Sequence, residues 1–169
     1  MKKIAKMNAW QIFLLIMVLP IILQSGLIPM FLSGSIKVVF LYLLAITAIS
    51  LILTITYITA LGISLNKELP EKVKMNIGFI SLYQLLFLGI ISYIILTDTV
   101  SLFFIVIIPL HIYAMFSILY TTYFISKALV SAEKQEDAKF TEYGEVIFLL
   151  IFFPIGIWFI QPRVQMIIN

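Results

Sequence analysis

The sequence predicts an all-α fold: a polytopic transmembrane helix bundle with four long helices plus a short fifth, crossing or re-entrant, at the C-terminus. Three observations predict it. Of the 169 residues, 63% are hydrophobic and 11% are charged, against about 25% charge in soluble domains. The charges fall in a few short clusters, and no polar stretch exceeds about 20 residues, which leaves no room for a soluble domain. Between the clusters lie apolar runs long enough to cross the roughly 30 Å hydrocarbon core of a bilayer.

The elements follow in order. Lys2, Lys3 and Lys6 precede Trp10, which opens an apolar run over 10–31. The start resembles a signal-peptide n-region, but the run is too long for an h-region and its only small-x-small site is Ser33-Gly34-Ser35. An uncleaved first helix is expected, kinked or ended by Pro20 and Pro29. A second span covers 38–64. The loop Asn66-Lys67-Glu68-Leu69-Pro70-Glu71-Lys72-Val73-Lys74 separates it from a third span over 75–97. Asp98-Thr99 turn into the fourth span, 102–125, which holds the chain's single histidine, His111. The linker 127–143 is rich in helix formers and is expected to extend the fourth helix or lie on the membrane surface. A last apolar run, 144–161, is interrupted by Pro154-x-Gly156. Extension back to Tyr143 lengthens it enough to favour a crossing; a turn at Pro154 and Gly156 would make it re-entrant, which is tolerated only against protein. The chain reads as a single membrane domain over 1–169.

Lysine and arginine set the orientation. Three stand before the first span, one in the first turn, three in the 66–74 loop, none in the 98–101 turn, three in the linker and one, Arg163, in the tail. Alternation puts 1–9, 65–74 and 127–143 in the cytoplasm of a bacterial inner membrane. The net charge of +3 belongs to these flanks and is no sign of nucleic acid.

Polar residues in a bilayer need partners. At 1.5 Å per residue, Thr54, Gln84 and His111 fall in roughly one layer, with Gln84 expected to bond to His111 and Tyr113 or Tyr120 nearby. That layer could form a proton or ligand site. With no Asp, Glu, Lys or Arg beside it in the spans, interhelical hydrogen bonding is the reading the residues favour. Thr47, Ser50, Thr54, Tyr57 and Ser64 share one helix face, and Gly78, Ser81, Gly89 and Ser92 offer small residues for close packing. Glu142 and Glu145 form an acidic mouth one turn apart, able to bind a cation or to pair with Arg163 if the tail returns. A lone histidine and scattered carboxylates make no metal set.

Pro154, Gly156, Trp158 and Arg163 belong to the most distinctive string, Pro-Ile-Gly-Ile-Trp-Phe-Ile-Gln-Pro-Arg, in which a helix break precedes an interfacial anchor. With His111-x-Tyr113-Ala114-Met115-Phe116 and Tyr123-Phe124-Ile125-Ser126-Lys127, this string resembles the C-terminal part of a small multispanning membrane protein family of Bacteroidota-type bacteria. The resemblance covers about the last 60 residues and implies a class with no activity attached.

Function is bounded mainly by exclusion. Without cysteine there is no thiol nucleophile or thiolate metal site. No phosphate loop, dinucleotide fingerprint or His-x-x-x-His occurs. No glycine-flanked serine suits an oxyanion site, and the first four spans lack the carboxylate that small multidrug exporters use. The expectation is a non-enzymatic accessory, assembly or immunity-type protein without cofactor, partnered by the bilayer and by another membrane protein or itself. The alternative is a small transporter or channel-forming oligomer built on the layer around His111.

Overall fold

The computed structural model describes residues 2–32, 36–74 and 100–168. Among them every regular element is helical. In chain order these are α1 (Lys2–Ala5), α2 (Ala9–Phe13), a π segment (Leu14–Val18), α3 (Leu19–Gln24), α4 (Leu27–Leu32), α5 (Ile36–Lys67), a 3-10 turn (Glu71–Val73), α6 (Val100–Lys134), α7 (Phe140–Ile151) and α8 (Phe153–Ile168). Among the described residues three stretches are long and apolar enough to cross a membrane: Ala9–Pro29, Ile36–Lys67 and Met115–Lys134. The expected third span, 75–97, lies outside the described residues.

The prolines shape the first stretch. Pro20 has no N–H, and its ring would press on the carbonyl four residues back. The chain widens just upstream, where the Leu19 N–H reaches the Leu14 carbonyl, a π-type bond that absorbs the offset. Pro29 acts likewise on Ser25, and the helix breaks at Ser25-Gly26. There the Tyr42 hydroxyl donates to the Leu23 carbonyl at 2.7 Å, tying the broken helix to α5. The N-terminal start is set by Asn8, whose side chain accepts from the Gln11 N–H at 3.0 Å while the Gln11 side chain accepts from the Asn8 N–H at 3.1 Å. This reciprocal pair satisfies two donors that the helix leaves open.

Helix α5 runs unbroken for 32 residues, with no proline inside it. Helix α6 takes in the fourth apolar run and the first part of the linker, and ends at Lys134. Gln135 follows with φ 58°, the left-handed conformation in which helices usually stop on glycine. Its side-chain amide donates to the carbonyls of Ala132 at 2.8 Å and Glu68 at 3.2 Å, which offsets the backbone strain.

The last apolar run, 144–161, for which the sequence allows either a crossing or a turn at Pro154 and Gly156, is not one continuous helix. It is two helices broken at Phe152, which has φ −91° and ψ 50°. Pro154 falls in the first turn of α8, where a missing N–H costs no hydrogen bond. Gly156 then packs against α7 so closely that a Cβ there would overlap the backbone carbonyl of Leu149. Both far ends of this pair return to the end of α6: Glu142 of α7 meets Lys134, and Arg163 of α8 meets Glu133. Helices α7 and α8 are therefore an antiparallel hairpin.

The buried core lies at this end of the molecule. It joins Leu61 and Leu65 of α5, Phe124, Ala128 and Leu129 of α6, Val146 of α7 and Ile157, Ile160 and Val164 of α8 with Ala5 and Ile12. Away from it, large apolar side chains such as Ile28, Phe31, Leu41, Ile52, Phe116 and Leu119 stand exposed.

Gly156→Ala should lower the thermal midpoint in detergent by an amount equivalent to about 1–3 kcal/mol, the usual cost of overpacking. Gly144→Ala is the control. Nothing lies within 4 Å of the added methyl, so better helix propensity should leave stability unchanged or raise it by up to about 1 kcal/mol. Equal midpoints for the two variants would contradict the close approach at Gly156.

Candidate functional site

The polar groups converge on the end of the molecule that holds the core. At their centre is Gln161, fully buried on α8. Its Nε2 donates to the carbonyl of Ala5 at 2.8 Å and to that of Met7. Its Oε1 accepts from the hydroxyl of Tyr57, itself buried on α5, at 2.8 Å. One turn on, Gln165 donates to the carbonyls of Lys6 at 3.0 Å and Met7 at 3.2 Å. The accepting carbonyls close α1, a helix of four residues whose last C=O groups have no partner of their own. Two glutamines at helical spacing thus cap the N-terminal segment from the far end of the chain.

Ion pairs surround this node. The Arg163 guanidinium meets both Glu133 oxygens at 2.7 Å, the fork geometry that suits arginine. Lys127 pairs with Asp137 at 2.8 Å. Lys134 pairs with Glu142, whose other oxygen accepts from the Lys139 N–H at 2.8 Å and caps α7. The lysine, then this N–H, hold the Glu142 carboxyl below its ordinary value of 4.5. Glu133 holds the Arg163 guanidinium charged, with a smaller contribution from Glu145. An open cleft of about 380 Å³ lies between them, lined by Glu68, Ala132, Glu133, Gln135, Arg163, Met166 and Ile167.

Of the residues expected to form a site, some are described and others are not. Thr54 donates to the Ser50 carbonyl of its own helix at 2.9 Å, and Thr47, Ser50 and Thr56 bond back in the same way. Within the polar stripe on α5, Thr47, Ser50 and Thr54 are thereby satisfied inside the helix, whereas Tyr57 reaches Gln161. Gln84 and the side chains of His111 and Tyr113 lie outside the described residues, as do Gly78, Ser81, Gly89 and Ser92. Tyr120 stacks on Phe116 and meets Tyr123 at a tilt. The tail does return, but the carboxylate that Arg163 takes is Glu133, not Glu142 or Glu145, because Glu142 is held by Lys134. Trp158 packs on Trp10 and Phe13, with ring centroids 5.5 and 5.8 Å apart.

Sequence reasoning missed Gln161 and Gln165. A glutamine before proline and arginine has the pattern of a helix end, although α8 runs through Pro162 to Ile168. Among the described residues no group of three potential ligands could hold a metal, and Thr121 is the one buried side-chain polar atom without a partner. What the arrangement does chemically is join segments: it neutralises charges in pairs and fills orphan carbonyls. Compared with protein families, curated proteins and solved structures, the chain matches none.

Gln161→Leu should cost well over 1 kcal/mol of stability in detergent, since it strands the Tyr57 hydroxyl and two carbonyls in the core. Tyr57→Phe should cost about 1 kcal/mol, and the double variant should show a coupling of at least about 0.5 kcal/mol. Additive losses would mean that the two side chains do not interact.

The sign of the Glu142 effect is fixed by its depressed titration. The folded state favours the carboxylate, so this contribution is present above pH 4.5 and is lost as the pH falls below it. Thermal midpoints measured from neutral pH downward should fall less steeply for Glu142→Gln than for the wild type. Parallel curves would remove Glu142 from the acid response.

Proposed function

We propose that the chain is a multi-pass protein of a bacterial inner membrane that works by association, as an accessory, assembly or immunity-type subunit, and catalyses no reaction. The N-terminus, the 66–74 loop and the linker face the cytoplasm in this reading. The sequence supplies a fourth crossing at 75–97 between the helices that are long enough to span. The family suggested by the C-terminal string would then be one of partner-binding membrane proteins.

The observation that carries the reading is the local satisfaction of hydroxyls. A conducting or substrate path needs polar groups facing a shared space. On α5 the hydroxyls of Thr47, Ser50, Thr54 and Thr56 are committed to carbonyls of their own helix, and on α6 Thr122 and Ser126 behave alike. By contrast the cytoplasmic end offers an open cleft and the exposed charges of Lys67, Lys72 and Glu136, a surface suited to a polar partner.

Two sets of variants, carried in the native host and in vesicles, test this reading. Changing Lys67, Lys72 and Glu136 to glutamine should reduce the native mass of the complex extracted in mild detergent, with the fold intact. His111→Ala and Gln84→Ala should leave that mass unchanged. A chain that runs alone before any change, or an ion flux in proteoliposomes abolished by His111→Ala, would favour the transporter instead.

A further inference from the structure

We infer that the α7–α8 hairpin is a half-bilayer element. It enters and leaves through the same leaflet, its outer face is covered by acyl chains, and its tip, Phe152-Phe153-Pro154, stops near the bilayer midplane. This rests on the reading that the chain resides in a membrane and goes beyond it, since a crossing segment would be equally compatible with that reading.

Depth arithmetic comes first. Glu145 is the last charge before the turn and Arg163 the first after it. Glu142, paired at the base, lies ten residues before Phe152 and Arg163 eleven after. At 1.5 Å per residue each arm reaches about 15–17 Å from its ion pair to the tip, half of a hydrocarbon core of roughly 30 Å. Neither arm alone can cross, and the pairing of both bases with the end of α6 returns them to one side.

The aromatic contacts fix the level of α8 against the first apolar stretch. The chain has two tryptophans, and they touch, Trp10 at the start of that stretch and Trp158 on α8. Both sit at one level, between the charged bases and the tip. From Trp158 the chain rises about 9 Å to Phe152 and descends about 8 Å to Arg163. Between the bases the outer face carries Phe148, Ile151, Phe152, Ile155 and Phe159, all about half exposed or more, while Val146, Ile157, Ile160 and Val164 turn to the core. Five large apolar side chains on a charge-free face, beside a helix fit to span the membrane, match the chemistry of lipid tails. At the turn the Phe152 N–H reaches the Phe148 carbonyl, the N–H groups of Ile155 and Gly156 both reach the Phe152 carbonyl, and Pro154 has no N–H to satisfy.

The absence of cysteine permits a direct test with single-cysteine variants at exposed positions. Glu136→Cys and Met166→Cys sit at the two bases, and Ile151→Cys and Ile155→Cys flank the tip. The full chain is reconstituted in vesicles of phosphatidylethanolamine and phosphatidylglycerol, and sidedness is read in cells with an impermeant maleimide. We expect positions 136 and 166 to label from the same face. Nitroxides at 151 and 155 should be relaxed strongly by oxygen and weakly by a water-soluble nickel complex, with a higher oxygen-to-nickel ratio than at 166. Labelling of 136 and 166 from opposite faces would overturn the proposal in favour of a crossing. Tip nitroxides shielded from both relaxants would replace lipid by a protein occupant, and strong nickel relaxation would put the tip in water. Failure of the membrane reading itself shows separately, as release of the chain from membranes by alkaline carbonate.

Discussion

The side-chain amide of Gln161 is the interaction on which the rest of the described fold depends. An amide in an apolar core costs about 2–7 kcal/mol if left unpaired, depending on the reference state, so its partners are obligatory. They come from Tyr57, 104 residues away, and from Ala5 and Met7, more than 150 away. A helix as short as α1 has no stability by itself. It is ordered because α8 supplies the donors that its terminal carbonyls lack. For α8 to do so it must run back towards the N-terminus, and the sharp turn at Phe152 and the missing Cβ of Gly156 meet that requirement.

Once the hairpin is placed, the charges follow. Arg163 reaches Glu133 and Glu142 reaches Lys134 because Gln135 stops α6 between them and the chain doubles back. Exposed pairs of this kind contribute little each, about 0–1 kcal/mol. Their value lies in geometry: two arms of one hairpin are pinned to successive residues at the end of one helix. In lipid no hydrophobic force draws helix to helix, so contacts between defined partners at the polar end, and close packing such as Gly62 against Phe124, decide how the helices sit.

Helicity, the second apolar span and the breaking power of Pro20, Pro29 and Pro154 with Gly156 were all legible in the sequence, since each depends on residues within a turn or two. Asn8 with Gln11, a capping pair at the helix start at Ala9, is an equally local signal that the sequence reading passed over. The hairpin was open to either reading, because length alone allowed a crossing. Gln161 was not legible. Its partners are remote, and a glutamine before proline and arginine looks like a solvent-exposed helix end. The choice of Glu133 over Glu142 turned on one residue, Gln135, adopting a left-handed conformation that sequence pattern does not assign to glutamine. Thr54 bonds within its own helix: a threonine in a helix has an acceptor four residues back, and no interhelical partner is needed to satisfy its proton.

That last point bears on how such a bundle meets a partner. A hydroxyl has one proton and two acceptor lone pairs. Along α5 the protons of Thr47, Ser50, Thr54 and Thr56 are spent on backbone carbonyls, so what these groups still offer outward is lone pairs. A face of acceptors suits a neighbouring helix that brings donors, through an amide, a phenol or a guanidinium. It gives no relay for a proton, which needs groups able to donate and accept in turn. Tyr57 makes the same point within the chain: it bonds by donating to Gln161 of α8, which packs against α5 there. Side-chain joining by donors to a waiting acceptor is thus already how this protein connects its own segments. The proposed association with another chain would extend that chemistry to the open cleft and to the exposed Lys67, Lys72 and Glu136 beside it.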